Sequence, residues 1–244
     1  MKISLIIPAF NEENRIAKSI RSIGDFFSKK NWEFEIIVVD DGSRDKTVEV
    51  VNREWDKIGG TKKLLQNSAN RGKGYSVRKG MLEATGDYLI FTDADLSSPI
   101  EEAEKLIRVL EEGCSIVIAS RALRNSQVEI HQNIVRETMG KIFNCLARFL
   151  TFKGIHDSQC GFKGFRREAA QRLFSLAKID GFAFDAEIIY LAQKFGYSIK
   201  EIPVVWRNSP ASKVHMISDP VNMILDLFRI RLYHLRDDIP PAKQ

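Results

Sequence analysis

Apolar and polar positions along the chain follow two rhythms. ISLIIPAF (3–10) is a continuous apolar run of strand length, after which Ile16, Ile20, Ile23 and Phe27 recur at helical spacing. A buried strand followed by an amphipathic helix is predicted, and the unit repeats. FEIIVVDDGS (34–43) reads as strand and turn, and Val48, Val51, Trp55 and Ile58 share one helical face. KKLLQN (62–67) predicts a short strand, GKGYSVRKGMLEATG (72–86) a helix between glycines, and DYLIFTDAD (87–95) the next strand. Alternation of this kind predicts an α/β fold, a mostly parallel sheet with helices on both faces.

Further along, Ser98, Pro99 and Glu101 read as N-cap, first-turn proline and capping-box acid of a helix reaching about Glu112. SIVIAS (115–120) is another strand, and residues 121–130 read as loop. From Ile134 to Phe152 a helical pattern carries Ile142, Phe143, Leu146, Phe149 and Leu150 among Arg136, Lys141 and Arg148, a basic amphipathic helix. GIHDSQCGFKGF (154–165) is rich in turn residues. Two helical patterns follow around Ala169 and Ile188, then a strand, IKEIPVVW (199–206), and a last helix opening at Ser218 and Pro220.

Composition narrows the picture only a little. With 244 residues and 44% hydrophobic content, the chain can bury one sizeable core, so one domain is expected. A formal charge of +5 suits anionic partners such as nucleotides or lipid phosphates. The cysteines Cys114, Cys145 and Cys160 are odd in number and lack paired metal spacing, which predicts reduced thiols and no zinc site. The N-terminal apolar run turns polar too soon for a signal peptide, and no segment has the apolar length of a bilayer span. A protein that is soluble or rests on a membrane surface is expected.

In parallel α/β sheets ligands bind beyond the carboxyl ends of the strands. Three such ends are polar here: Pro8, Phe10, Asn11 and Glu12 after the first strand, Asp40 and Asp41 after the second, and Asp93, Ala94 and Asp95 after the fourth. Positions i and i+2 of a strand project to one side, so Asp93 and Asp95 can converge on Mg²⁺ or Mn²⁺, although a lone Asp-x-Asp equally caps a turn. Asp40 ends a buried strand, where an unpaired carboxylate is costly, and calls for a donor such as a base N–H or a ribose hydroxyl. Glu12 also reads as a first-turn acid favoured by the helix dipole. Gly72, Lys73 and Gly74 match neither a Walker loop nor a dinucleotide fingerprint; they open a helix that can meet a phosphate or simply begin there. His156, Asp157, Gln159, Gly161 and Phe162 form a second polar cluster, flanked in sequence by Arg121 and Lys213.

Taken together, IIPAFNEE, VVDDGSRDKT, GKGYSVRKGMLEATGD and FTDADLSSP resemble family 2 glycosyltransferases with the GT-A (Rossmann-like) fold. The later SRA (120–122), DSQCGF (157–162), FDAE (184–187) and SKV (212–214) narrow the resemblance to dolichyl-phosphate or polyprenyl-phosphate hexosyltransferases, most of all dolichyl-phosphate β-glucosyltransferases. The resemblance implies a single domain over 1–244, with a nucleotide-sugar half (1–97), an acceptor half (98–214) and a C-terminal helix (215–244). It implies that Pro8, Phe10, Asn11, Glu12, Asp40, Asp41 and Lys73 line the nucleotide pocket, and that Asp93 and Asp95, with Ala94 between and Gln159 as a further ligand, hold Mg²⁺ or Mn²⁺. Arg121 then receives an acceptor phosphate, Ser212 and Lys213 bind phosphate, and Asp157 is a base or an orienting group. The implied partners are a UDP-hexose or GDP-mannose donor, a dolichyl or polyprenyl phosphate and a membrane surface, with no nucleic acid. The implied location is peripheral, on the cytoplasmic face, with the amphipathic helices on the membrane. Ala211 stands where relatives often have glycine before the serine, which bears on that loop's geometry. No C-terminal membrane helices and no Gln-x-x-Arg-Trp motif are present, so one transfer is expected rather than polymer growth. A soluble enzyme acting on a saccharide or protein, and a non-catalytic nucleotide-binding scaffold, are the other readings.

Overall fold

Alternation within the strands decides the layering. In β1 (Lys2–Ala9), Ile6 faces one side of the sheet and Leu5 and Ile7 the other; in β2 (Glu33–Asp40), Ile37 and Val39 oppose Ile36 and Val38. Because both faces are apolar, both must be covered. A computed structural model, which describes residues 1–130, 134–207 and 218–235, shows how. On one face lie α1 (Ile16–Ser28), α2 (Thr47–Trp55) and α4 (Ala103–Glu111). On the other lie α3 (Lys73–Glu83), α5 (Ile134–Leu150), α6 (Arg167–Leu176), α7 (Phe184–Lys194) and α8 (Ser218–Tyr233).

The seven-stranded sheet has the order β3-β2-β1-β4-β7-β5-β8, where β3 is Thr61–Gln66, β4 Tyr88–Thr92, β5 Ile116–Ser120, β7 Phe162–Arg166 and β8 Ile199–Pro203. All neighbours are parallel except β7, which runs antiparallel to β4 and to β5. The register pairs Ala9 with Asp40, Asp40 with Gln66 and Ile6 with Phe91, so the carboxyl ends of β1, β2 and β4 finish along one edge. That edge is where the polar strand ends meet.

Three expectations need correction. The turn-rich 154–165 segment contains the start of β7, a central strand. The loop expected over 121–130 ends in β6 (Gln127–Ile130), which pairs with β9 (Val205–Arg207) in a small separate sheet. No capping box opens α4: a single 3₁₀ turn, Ile100–Glu102, precedes it, Pro99 takes the cap position without a side-chain bond, and Ser98 is buried beside Cys160 Sγ at 4.0 Å.

Candidate active site

At the end of β2, Asp40 is 3% exposed. Its Oδ2 accepts the Ser43 N–H at 3.2 Å, whereas Oδ1 is buried with no hydrogen-bond partner among the described residues. A buried carboxylate oxygen left unpaired is costly, so a donor from water or a ligand would be favoured at this atom. It borders a cavity of about 500 Å³ lined by Phe10, Ser43, Arg44, Asn67 and Asn70. The cavity's loops are fastened by two of the expected pocket residues. Asn11, in the left-handed region at φ 54°, donates its N–H to Ser43 Oγ at 2.9 Å and accepts the Arg44 N–H at 2.8 Å. Asp41 accepts Asn67 Nδ2 and the N–H groups of Arg71 and Gly72 at 2.8, 2.9 and 2.8 Å. Pro8 lies within β1 beside Val39.

Gly72 has φ 107°, and a Cβ there would strike the Asp180 carbonyl. The glycines that open α3 therefore serve a close backbone approach to residues 179–181, which sets Lys73 at the sheet edge.

Asp93 and Asp95 lie in a turn, not on alternate positions of a strand, because β4 ends at Thr92. The turn closes with Leu96 at φ 48° and its N–H on the Asp93 carbonyl. Each carboxylate faces a cation: Asp93 Oδ1 lies 2.6 Å from Lys73 Nζ, and Asp95 Oδ2 lies 3.3 Å from Arg15 Nη1. Asp95 Oδ1 also accepts Ser97 N–H and Oγ, so it caps the turn as well. Glu12 points to Arg15, which grips both its oxygens at 2.6 and 2.7 Å. The Ala94 carbonyl accepts Ser19 Oγ at 2.6 Å, and its methyl group is buried. Gly161 packs so tightly on Asp93 that a Cβ would overlap the carboxylate.

A buried pair that sequence reasoning missed underlies this array. Lys163 Nζ, from the middle of β7, donates to Asp185 Oδ1 at 2.7 Å and to the Cys160 carbonyl at 2.6 Å. Burial pushes the Asp185 carboxyl up, against the pull of Lys163 and Lys73. For Lys73, burial works downward, but Asp93 and then Asp185 outweigh it and hold the ammonium above its ordinary range. Arg15 was also missed, although its spacing from Glu12 is a helical i,i+3 pair.

Where β5 ends, Arg121 meets Asp157 in three hydrogen bonds: N–H and Nε to Oδ2 at 2.9 and 2.7 Å, and Nη2 to Oδ1 at 2.8 Å. The guanidinium lies 5.3 Å from the Trp206 ring centroid. Burial alone would raise Asp157, yet the charge and hydrogen bonds of Arg121 bring it below the usual carboxylate range. A carboxylate so committed orients its arginine and is a poor proton acceptor. Glu201 fixes the loop by accepting the N–H groups of His156 and Asp157 at 2.9 and 3.0 Å. Gln159 donates its backbone N–H to Asp157 Oδ1 at 3.2 Å, and its side-chain amide lies 3.5 Å from Ser158 Oγ, not against Asp93 or Asp95. Ser212 and Lys213 lie outside the described residues.

Among the described residues no three His, Cys, Asp or Glu side chains cluster as a complete metal cage. Two hard carboxylates at an open edge do fit Mg²⁺ or Mn²⁺, ions that keep positions for water and phosphate oxygens.

Comparison with known proteins bears on the family and the fold. The pattern of Glycosyl transferase family 2 matches residues 4–174. A dolichyl-phosphate beta-glucosyltransferase of Dictyostelium discoideum is 35% identical over 96% of this chain and 75% of its own length, and the Homo sapiens enzyme of that name is 34% identical over 96% and 76%. Among solved structures, glucosyl-3-phosphoglycerate synthase from Mycobacterium tuberculosis in complex with UDP superposes with a TM-score of 0.69 at 19% identity, covering 99% of this chain and 82% of that one. The same enzyme with Mn²⁺, UDP and glucosyl-3-phosphoglycerate gives 0.68 at 20% identity, covering 99% and 81%. Mannosyl-3-phosphoglycerate synthase from Rubrobacter xylanophilus also gives 0.68 at 20% identity, covering 98% and 75%. The fold is theirs, and the chain belongs to glycosyl transferase family 2.

Proposed function

We propose that the enzyme transfers glucose from UDP-glucose to the phosphate of a dolichyl or polyprenyl carrier, with inversion at the sugar carbon, on the cytoplasmic face of a membrane. The observation that carries this reading is the likeness, over nearly the whole chain, to proteins named for transfer of glucose to dolichyl phosphate. Asp40 supports it, because its unpaired Oδ1 offers an acceptor for a base or ribose donor.

Each group then has a task. The acceptor phosphate, with a second pKa of about 6, is already ionised near neutral pH, so no strong base is needed. Arg121, fixed by Asp157 and flanked by Trp206, holds that phosphate against the anomeric carbon, with Lys213 and Ser212 as its further binding groups. Asp93 and Asp95 would hold Mg²⁺ or Mn²⁺, which supplies charge stabilisation for the departing diphosphate. Lys73 and Arg15 bring two further cations to the same edge, where they favour the growing negative charge.

The test is transfer of labelled glucose from UDP-glucose to polyprenyl phosphate, with Mg²⁺ or Mn²⁺ and then with chelator. Chelator-sensitive labelled lipid is expected. Labelled lipid from GDP-mannose alone would change the donor, and label on a water-soluble acceptor alone would overturn the lipid.

A further inference from the structure

His156, Asp157 and Ser158 lie between α5 and β7, and two side chains from distant elements hold their backbone. Glu201, on β8 beside β5, accepts the N–H groups of His156 and Asp157 and lies 2.8 Å from His156 Nδ1. Asn144 of α5 takes the next two groups. Its Nδ2 donates to the His156 carbonyl, and its Oδ1 accepts the Ser158 N–H at 3.2 Å and the Ser158 hydroxyl at 2.9 Å. One amide therefore bridges the residues on either side of Asp157. Ser158 is fully buried and Asp157 is 6% exposed, so water offers these groups little in exchange.

Nothing local to α5 calls for asparagine at this position. Asn144 lies well inside the helix, away from both ends, where asparagine is a poorer helix former than leucine or alanine. Its neighbours Phe143 and Ala147 are buried in the core and fix how the helix sits. Among the described residues Asn144 bonds only to His156 and Ser158, so all that its side chain contributes goes to the segment carrying Asp157.

That segment in turn aims Arg121. Asp157 occupies the guanidinium edge formed by Nε and Nη2 and also accepts the Arg121 N–H, which leaves the edge at Nη1 to meet an anion. A guanidinium is a rigid planar fork, so a tilt of the carboxylate swings the free edge with it.

We infer that Asn144 is a positioning residue for the acceptor: it locks the backbone around Asp157, and through Asp157 it sets the direction in which Arg121 meets the acceptor phosphate. This deepens the functional reading and rests on Arg121 receiving that phosphate. It also gives α5 a task at the acceptor end of the site, since no hydrogen bond of Asn144 reaches Asp40, Lys73, Asp93 or Asp95. Its loss should fall on the acceptor and spare the donor.

The experiment compares the parent, Asn144→Ala, Arg121→Lys and the double variant in transfer of labelled glucose from UDP-glucose to polyprenyl phosphate with Mn²⁺. Asn144→Ala is expected to raise the acceptor KM about tenfold, with the donor KM, UDP affinity and unfolding midpoint close to the parent's. A residue acting through Arg121 is not additive with it, so Asn144→Ala should raise the acceptor KM of Arg121→Lys less than about twofold. Hydrogen exchange without substrates is the second measurement: the amides of Arg121, Asp157 and Ser158 are expected to exchange at least about tenfold faster in Asn144→Ala. An unchanged acceptor KM in Asn144→Ala beside a raised one in Arg121→Lys, effects that multiply in the double variant, or unchanged exchange at those amides overturns the inference. Arg121→Lys with the parent's acceptor KM overturns the acceptor role of Arg121 instead, and the exchange measurement still decides whether Asn144 holds the segment.

Discussion

Asp185→Asn changes one charge and almost no volume, at the point where the buried pair meets the edge that carries Asp93 and Lys73. Asp185 is 3% and Lys163 1% exposed, with 2.7 Å between Nζ and Oδ1. Without that charge, the Lys163 ammonium is left in the core with the Cys160 carbonyl and the face of Phe91. Removing one partner of such a pair costs about 3–5 kcal/mol, and a 3 kcal/mol loss in a chain of this size lowers the unfolding midpoint by roughly 6–12 °C. Lys73 loses its second counter-charge as well, after Asp93. It then holds Asp93 more firmly against an incoming divalent ion, and Mn²⁺ affinity measured without donor is expected to fall about tenfold, or about 1.4 kcal/mol. Thermal unfolding by circular dichroism and a Mn²⁺ titration read the two effects independently. Lys163→Met combined with Asp185→Leu should restore most of the stability, because a packed apolar pair replaces a buried ionic one, and none of the Mn²⁺ affinity. An Asp185→Asn protein with the parent's midpoint and the parent's Mn²⁺ affinity refutes the reasoning.

Asp95→Ala is expected to abolish metal-dependent turnover while the chain still folds, since the carboxylate sits in a partly exposed turn; a circular dichroism spectrum beside a transfer assay checks it, and normal turnover would remove Asp95 from the site. Arg121→Lys keeps a cation and loses the paired geometry with Asp157, so the acceptor KM is expected to rise at least tenfold with the donor KM little changed. The Glu54 side chain is covered by the half-exposed Arg21 and Lys57, and the hydrogen bonds and charge of Arg21, with Lys57, bring it down to about 2 from an ordinary 4.5. The stability it supplies is whole above pH 4.5 and disappears as the pH falls toward 2, so Glu54→Gln should be less stable than the parent at pH 7 and approach it in acid denaturation curves. Asp40→Ala should weaken UDP binding in calorimetry.

The sheet's parallel half was legible because β1, β2 and β4 are unbroken apolar runs buried on both faces, each followed by a helical stripe. β7 was not, because Lys163 interrupts its apolar run and glycines at 161 and 164 mimic a turn. That lysine is tolerated only through Asp185, a partner that no local pattern reveals. The candidate carboxylates could be read from their place at the ends of apolar runs, and so could Arg121 beyond β5. Their assignments could not: Asp41 and Asn11 fasten loops and Asp93 is held by Lys73, contacts between segments far apart in the chain, whereas the grip of Arg15 on Glu12 is a local i,i+3 pair that the spacing offered.

The place of β7 has a consequence for how the protein is made. β4, with Leu89, Ile90 and Phe91, pairs on one side with β1, which precedes it, and on the other with β7, whose residue Phe162 meets Thr92. At a synthesis rate of roughly 5–20 residues per second, the nascent chain presents an unpaired, strongly apolar strand edge for several seconds before its neighbour emerges. An edge of that kind is a template for aggregation. Chains truncated before β7 are therefore expected to require chaperones and to accumulate as insoluble material, and slowed elongation across α4 and β5 should lower the yield of folded enzyme.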